Sequence, residues 1–181
     1  DFYKSGFPAR YGGRMSSVVD VTIREGDFND YSGSFSVGLI EGRFQFEGPI
    51  VKGKTSFNFG MRRTWLDLLT IPGFALYNMF RDPVNSDHTV MRYAMTDLNG
   101  KITHKFSETN TLSFSVFVGQ DAVRSNSISD PTDWDTDGNE SEMELGLRWG
   151  NILASLLWKY NISDNLSSDV NLYHVQSRAR V

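Results

Sequence analysis

From Tyr31 onward the chain alternates apolar and polar residues with a period of two, the pattern of strands that present one apolar and one polar face. Strands are predicted at about 31 to 40, 43 to 48, 55 to 66, 93 to 106, 111 to 122, 142 to 162 and 166 to 178. In the third, Phe57, Phe59, Met61 and Trp65 share one face, and Ser56, Asn58, Gly60, Arg62 and Thr64 share the other. In the fourth, Ala94, Thr96, Leu98, Gly100, Ile102, His104 and Phe106 oppose Asp97, Asn99, Lys101, Thr103 and Lys105. The fifth sets Leu112, Phe114, Val116 and Val118 against Thr111, Ser113 and Ser115. In the sixth the parity reverses, from Met143, Leu145, Leu147 and Trp149 to Ile152, Ala154, Leu156, Trp158 and Tyr160, which predicts a bulge at Gly150. The competing reading of that strand is one buried on both faces in a soluble core.

Short turns fall at Gly48 to Lys54, Ser107 to Asn110 and Ser163 to Asn165, and long connections at about 67 to 92 and 123 to 141. Strands of alternating direction put the short turns at one end and the long loops at the other. A soluble sandwich has no reason for that asymmetry, whereas a transmembrane β-barrel keeps short periplasmic turns and long extracellular loops. A Lys or Arg on the lipid face at the bilayer midplane costs about 2–4 kcal/mol, which accounts for one face being free of ions. Ten residues at about 3.3 Å, tilted near 45°, rise roughly 24 Å, the height of a barrel's apolar band. The expected fold is all-β: a partial antiparallel transmembrane β-barrel of about seven strands.

Residues 1 to 29 read differently. Gly6, Pro8, Gly12 and Gly13 interrupt the first half, and Ser16 to Arg24 then runs as one β-rich stretch ended by Glu25, Gly26 and Asp27. Two units follow, 1 to 29 and 30 to 181. The segment F-P-A-R-Y-G-G-R-M-S-S-V-V-D-V-T-I-R-E-G, Phe7 to Gly26, resembles the end of the plug domain of TonB-dependent outer-membrane transporters. The segments G-S-F-S-V-G-L-I-E-G-R-F-Q-F-E-G-P-I, Gly33 to Ile50, and K-T-S-F-N-F-G-M-R-R-T-W-L-D, Lys54 to Asp67, resemble the opening barrel strands of the same family, in its SusC-like type from Bacteroidota. The resemblance implies the C-terminal end of a plug followed by the first strands of a barrel of about 22 strands with a plugged lumen. It also implies localisation in the bacterial outer membrane, force from TonB through a coupling peptide outside this chain, and a SusD-like surface lipoprotein as partner. The cargo would be a nutrient such as an oligosaccharide or peptide, held by plug apices and by loops at Leu68 to Met91 and Val123 to Ser141.

Composition changes little in this picture. The chain has 181 residues, 39% hydrophobic and 22% charged, with a formal net charge of −4 that gives no nucleic-acid footprint. Zero cysteines exclude disulfides, zinc-thiolate sites and thiol nucleophiles. No apolar run reaches the roughly 20 residues of a spanning helix. The nearest, Trp65 to Phe80, carries Asp67, Pro72 and Gly73 and reads as a loop with one amphipathic turn. Without an initiator Met or signal peptide, the chain reads as an internal piece of something larger.

Two motifs carry chemistry. Gly48 to Thr55, G-P-I-V-K-G-K-T, matches the phosphate-loop pattern, which functions only between a strand and a helix. A nucleotide-binding enzyme is therefore one alternative, and a small structural or adhesive barrel another. Asp133, Asp135, Asp137, Gly138 and Glu144 match the spacing of a calcium loop, with Glu140 where an apolar residue is usual. Asp133, Asp135, Asp137 and Glu144 are the candidate Ca2+ ligands, against a solvated acidic loop. His88, His104 and His174 show no ligand spacing, and His104 and His174 read as interfacial aromatics near strand ends. Trp65, Tyr93, Phe106, Trp158 and Tyr160 read as girdle aromatics. No catalytic set is apparent, so the expectation is a binding and import protein, not an enzyme.

Overall fold

The computed structural model describes residues 2–3, 18–19, 21–80, 88–129 and 141–181. Near the N-terminus β1 (Phe2–Tyr3) pairs antiparallel with β2 (Val18–Val19). The rest is a seven-stranded sheet: β3 (Ser32–Val37), β4 (Glu41–Val51), β5 (Thr55–Thr64), β6 (His88–Ser107), β7 (Asn110–Ser129), β8 (Ser141–Ser163) and β9 (Leu166–Arg180). Each strand pairs antiparallel with its neighbours in sequence, so the spatial order is the chain order. A helix, α1 (Leu66–Met79), follows β5 and packs against β6.

The alternation seen in the sequence becomes two chemically distinct faces because the register aligns the strands. Phe35, Phe44, Met61, Leu98, Val118 and Ile152 stand side by side on one face. One residue along, Arg43, Arg62, Asp97, Gly119, Asn151 and Ser177 line up on the other. Among the described residues no hydrophobic side chain is buried. The buried ones are polar: Glu47, Ser56, Asn58, Thr64, Lys101, Thr103 and Ser113. Meanwhile Phe35, Phe44, Phe59, Phe114 and Leu156 are exposed, and Leu172 is 64% exposed. This is the reverse of a water-soluble sheet, whose apolar face would be covered at about 25 cal/mol per Å².

The structure corrects several expectations. Trp65 to Phe80 is no loop: 66–79 is helical despite Pro72 in its interior, a position worth about 3 kcal/mol against helix. Packing on β6 and anchors at its start offset that. Trp65 N donates to Ile40 O at 3.0 Å, the Trp65 indole N–H to Leu39 O at 3.0 Å, and Thr70 Oγ1 to Asp67 O at 3.3 Å. No bulge occurs at Gly150; Gln120 to Val118 face Gly150 to Ile152 in unbroken register, and β9 continues it. The register shifts lie at Pro49/Val51, Lys105/Ser107 and Asn161/Ser163, where strands enter the short turns. The strands β6 and β7 are also longer than predicted, 20 residues each. Finally, the β3–β4 connection is a tight hairpin, Gly38 N to Glu41 O at 2.7 Å, at the end that otherwise carries the long connections.

Candidate functional site

The densest polar chemistry lies where residues 21–30 cross the polar face of β4, β5 and β6. Lys101, 6% exposed, projects from β6 and donates from Nζ to Ile23 O at 3.1 Å, with Glu25 Oε1 at 3.7 Å. Asn58 on β5 donates from Nδ2 to Arg24 O at 3.1 Å. Glu47 on β4 accepts from the Arg24 guanidinium and from Ser32 Oγ, the latter at 3.0 Å. Gly26 sits directly on β5: a Cβ there would lie 1.9 Å from Phe57 O. Phe28 O accepts from Gly53 N at 2.8 Å, and Lys105 Nζ stands 4.1 Å from the Phe28 ring centroid. The carbonyls of Ile23 and Arg24 are thus each met by a side-chain donor from the sheet, and Glu47 holds the Arg24 guanidinium.

The strap ends in a turn. Asp27 Oδ1 accepts from Asn29 N at 2.7 Å and Asp30 N at 3.1 Å, and those two amides hold its carboxyl below the ordinary 3.8. The chain then crosses to the apolar face. Tyr31 lies over Gly48, stacks with Phe46 at 6.1 Å and 9°, and donates its hydroxyl to Pro49 O at 2.7 Å. The strap is therefore pinned to the polar side while the next residue is pinned to the apolar side, with Asp27 to Asp30 as the hinge between them.

Gly48 to Thr55 receives the end of the strap at Gly53 and the Tyr31 hydroxyl at Pro49. It is strand, turn and strand, with Gly53 at φ 72° and Lys54 N bonded to Val51 O at 3.0 Å. Thr55 opens β5, so no helix N-terminus faces the loop and the phosphate-loop geometry is not formed. Of the calcium candidates, Asp133, Asp135 and Asp137 lie outside the described residues. Glu144 is on β8 opposite Asn126, exposed. Among the described residues no cluster of metal-ligating side chains occurs. The expected binding loops are partly regular structure: 68–79 belongs to α1, 88–91 to β6 and 123–129 to β7, while 81–87 and 130–140 lie outside the described residues.

The aromatic residues divide. At the short-turn end Trp158 stacks on Tyr160 at 6.4 Å and 8° and donates its indole N–H to Asn110 Oδ1 at 2.8 Å. His104 meets Phe106 edge-on at 4.5 Å and lies 2.7 Å from Thr55 Oγ1. These four lie at the apolar-face rim, as expected for all but the missed Thr55 contact. Tyr93 does not belong with them: it lies on the polar-face parity and donates its hydroxyl to Asp121 Oδ1 at 3.2 Å. His174 is no strand-end residue either, since it sits in mid-strand opposite Ala154. The polar face also holds a pair the sequence reading passed over, Arg62 Nε to Asp97 Oδ2 at 3.0 Å. Lys101, Glu47 and Asn58 were visible only as members of a polar face; nothing in their spacing announces a common partner 78 residues away for Lys101.

Comparison of the chain with protein-family models, with curated proteins and with solved structures returns no match.

Proposed function

We propose that this chain is the junction of plug and barrel in a TonB-dependent outer-membrane transporter, and that the intact protein imports a nutrient ligand. The observation that carries the reading is the inverted burial: an antiparallel meander whose buried side chains are all polar and lie on one face of β4 to β7, while its apolar face is open. Lipid is the solvent in which that arrangement is stable, and only a closed barrel can satisfy the edges of such a sheet there. At about 3.3 Å per residue and 45° tilt, the 20-residue β6 and β7 rise roughly 47 Å against an apolar band of about 25 Å. They would cross the membrane and stand well clear of it on the long-connection side, taken as extracellular.

The strap supports the second half of the proposal. A plug is needed where a wide lumen must stay shut, and it has to be tethered to the first barrel strand. Residues 21–30 lie on the polar, lumen-side face and lead into β3 at Ser32. A small adhesive barrel has its lumen filled by its own side chains and needs no such segment.

The chain's lack of cysteine makes the membrane reading directly testable. Single cysteines at Phe114, Ala154 and Leu156 should react with a lipid-soluble maleimide and resist a charged one, and cysteines at Ser115, Ser155 and Asn171 should do the opposite. Uniform reaction with the charged reagent would sink the barrel. For transport, loss of TonB should abolish uptake by cells and leave surface binding intact; uptake without TonB would reduce the protein to a passive pore.

A further inference from the structure

The reversal of parity in β8 without a bulge has a physical meaning. Toward the long-connection end, the outward face stops being apolar and becomes cationic. On that face β7 runs through Val116 and Val118 to Arg124, β8 through Ala154 and Ile152 to Arg148, and β9 through Val170 and Leu172 to Arg178 and Arg180. The spacing is common to the three strands: Leu112 to Arg124, Tyr160 to Arg148 and Leu166 to Arg178 are each twelve residues apart. Twelve residues rise roughly 28 Å at 45° tilt, just past an apolar band of about 25 Å. No Asp, Glu, Lys or Arg interrupts the outward positions within those intervals.

The arginines also shape a groove. A cavity of about 270 Å³ lies over Gly150, with Arg148, Arg178 and Arg180 around it and Val118 and Ile152 at its foot. At Gly150 the strands leave little space for a side chain, since a Cβ there would stand 3.0 Å from Gly119 O on β7. Among the described residues no carboxylate lies within salt-bridge distance of these three arginines, all of them exposed. The nearest outward carboxylate on β8, Glu144, lies four positions before Arg148, on the side away from the apolar band.

We infer that this groove binds the anionic phosphate of a membrane lipid whose acyl chains lie along Val118 and Ile152. The inference rests on the outer-membrane reading. Guanidinium groups present paired N–H donors that match phosphate oxygens, and three unpaired ones around one cavity call for an anion. The apolar foot, continuous with the exposed apolar band, commits the anion to a lipid: a free anion has no use for Val118 and Ile152, and a polar partner would leave them wet.

The test uses the intact protein in phosphatidylcholine nanodiscs carrying lipid A with or without its phosphates, the retained lipid being counted by native mass spectrometry. Wild type should retain the phosphorylated form at least about tenfold over the dephosphorylated one. The triple variant R148Q/R178Q/R180Q should lose that preference, R178Q alone should lose part of it, and Lys159→Gln on the polar face should keep it. A wild type without preference overturns the site whether or not the triple variant folds. So does a preference unchanged in R178Q and the triple variant, or one erased by an equal concentration of inorganic phosphate. Failure of the site leaves the alternating cysteine pattern at Ala154 and Ser155 intact, whereas failure of the barrel reading abolishes that pattern first.

Discussion

Gly26→Ala is the most revealing single change in this chain. The added methyl would lie 1.9 Å from Phe57 O and 2.5 Å from Phe57 C, both in the backbone of a central strand that cannot rotate away. Ordinary contact needs about 3.4 Å, so the strap has to lift by roughly 1.5 Å. A shift of that size breaks hydrogen bonds now 3.1 Å long from Lys101 to Ile23 O and from Asn58 to Arg24 O, and the Gly53 N bond to Phe28 O at 2.8 Å. Each buried polar group left unmatched costs about 1–3 kcal/mol, so three lost bonds bound the effect at about 3–9 kcal/mol. The sheet's own ladder is untouched, which confines the loss to the strap. Hydrogen exchange of the protein in lipid should therefore show the Gly53 amide, which donates to Phe28 O, losing protection by two or more orders of magnitude, with β6 to β8 unchanged. Wild-type protection of Gly53 in Gly26→Ala would mean that the strap does not bear on β5, and the tether argument would fail.

Other expectations follow from the same geometry. Ala154→Arg places a cation on the outward face midway between Tyr160 and Arg148 and should destabilise the membrane-inserted protein by about 2–4 kcal/mol in denaturant titration. Ser155→Arg, one residue away on the polar face, should cost no more than the Ser155 hydrogen bond to Asn171, about 1 kcal/mol; equal costs would remove the distinction between faces. Lys101→Met keeps the stem but leaves Ile23 O unmatched, so the strap should loosen and the Gly53 amide bonded to Phe28 O should exchange faster while the sheet melts as before. Asp27 has its carboxyl held below 3.8 by the amides of Asn29 and Asp30, so its contribution to the turn is full above that value and lost as pH falls through the lowered one. Strap protection should be flat from neutral pH to about pH 4 and decline below it in wild type, with no such decline in Asp27→Ala.

How much of this was legible beforehand depends on whether one solvent or two touch a strand. The faces of β5 and the central parts of β6 and β7 were read correctly, because Phe57 to Met61, Leu98 to Ile102 and Leu112 to Val118 keep one environment along their length. Their far ends were not. Around Arg92 and Arg124 to Asn126 both faces carry polar residues, so period-two alternation fades and the strands were ended too early. The reversal in β8 was read as a bulge for the same reason: sequence reports a change of environment and a change of register identically. The helix was missed because Pro72 and Gly73 weigh heavily locally, while the β6 surface and the Trp65 anchors that offset them are distant in sequence. The strap's contacts span up to 78 residues, a separation at which a single sequence carries no pairing signal.

The meander order has a kinetic consequence. Since every strand of the sheet pairs only with its chain neighbours, each pairing closes a loop no longer than one connection, and the entropy lost in closing it grows only slowly with that length. The sheet can therefore grow by adding one hairpin at a time, each new strand using the previous one as its template and presenting a fresh edge to the next. The strap is the exception, since its partners on β6 do not exist until the chain has been made well past Lys101. Such non-local contacts form late. A polypeptide built this way lays down its sheet first and fastens the strap last, so there is an interval in assembly when β4 to β6 are already paired and the strap does not yet cover their polar face.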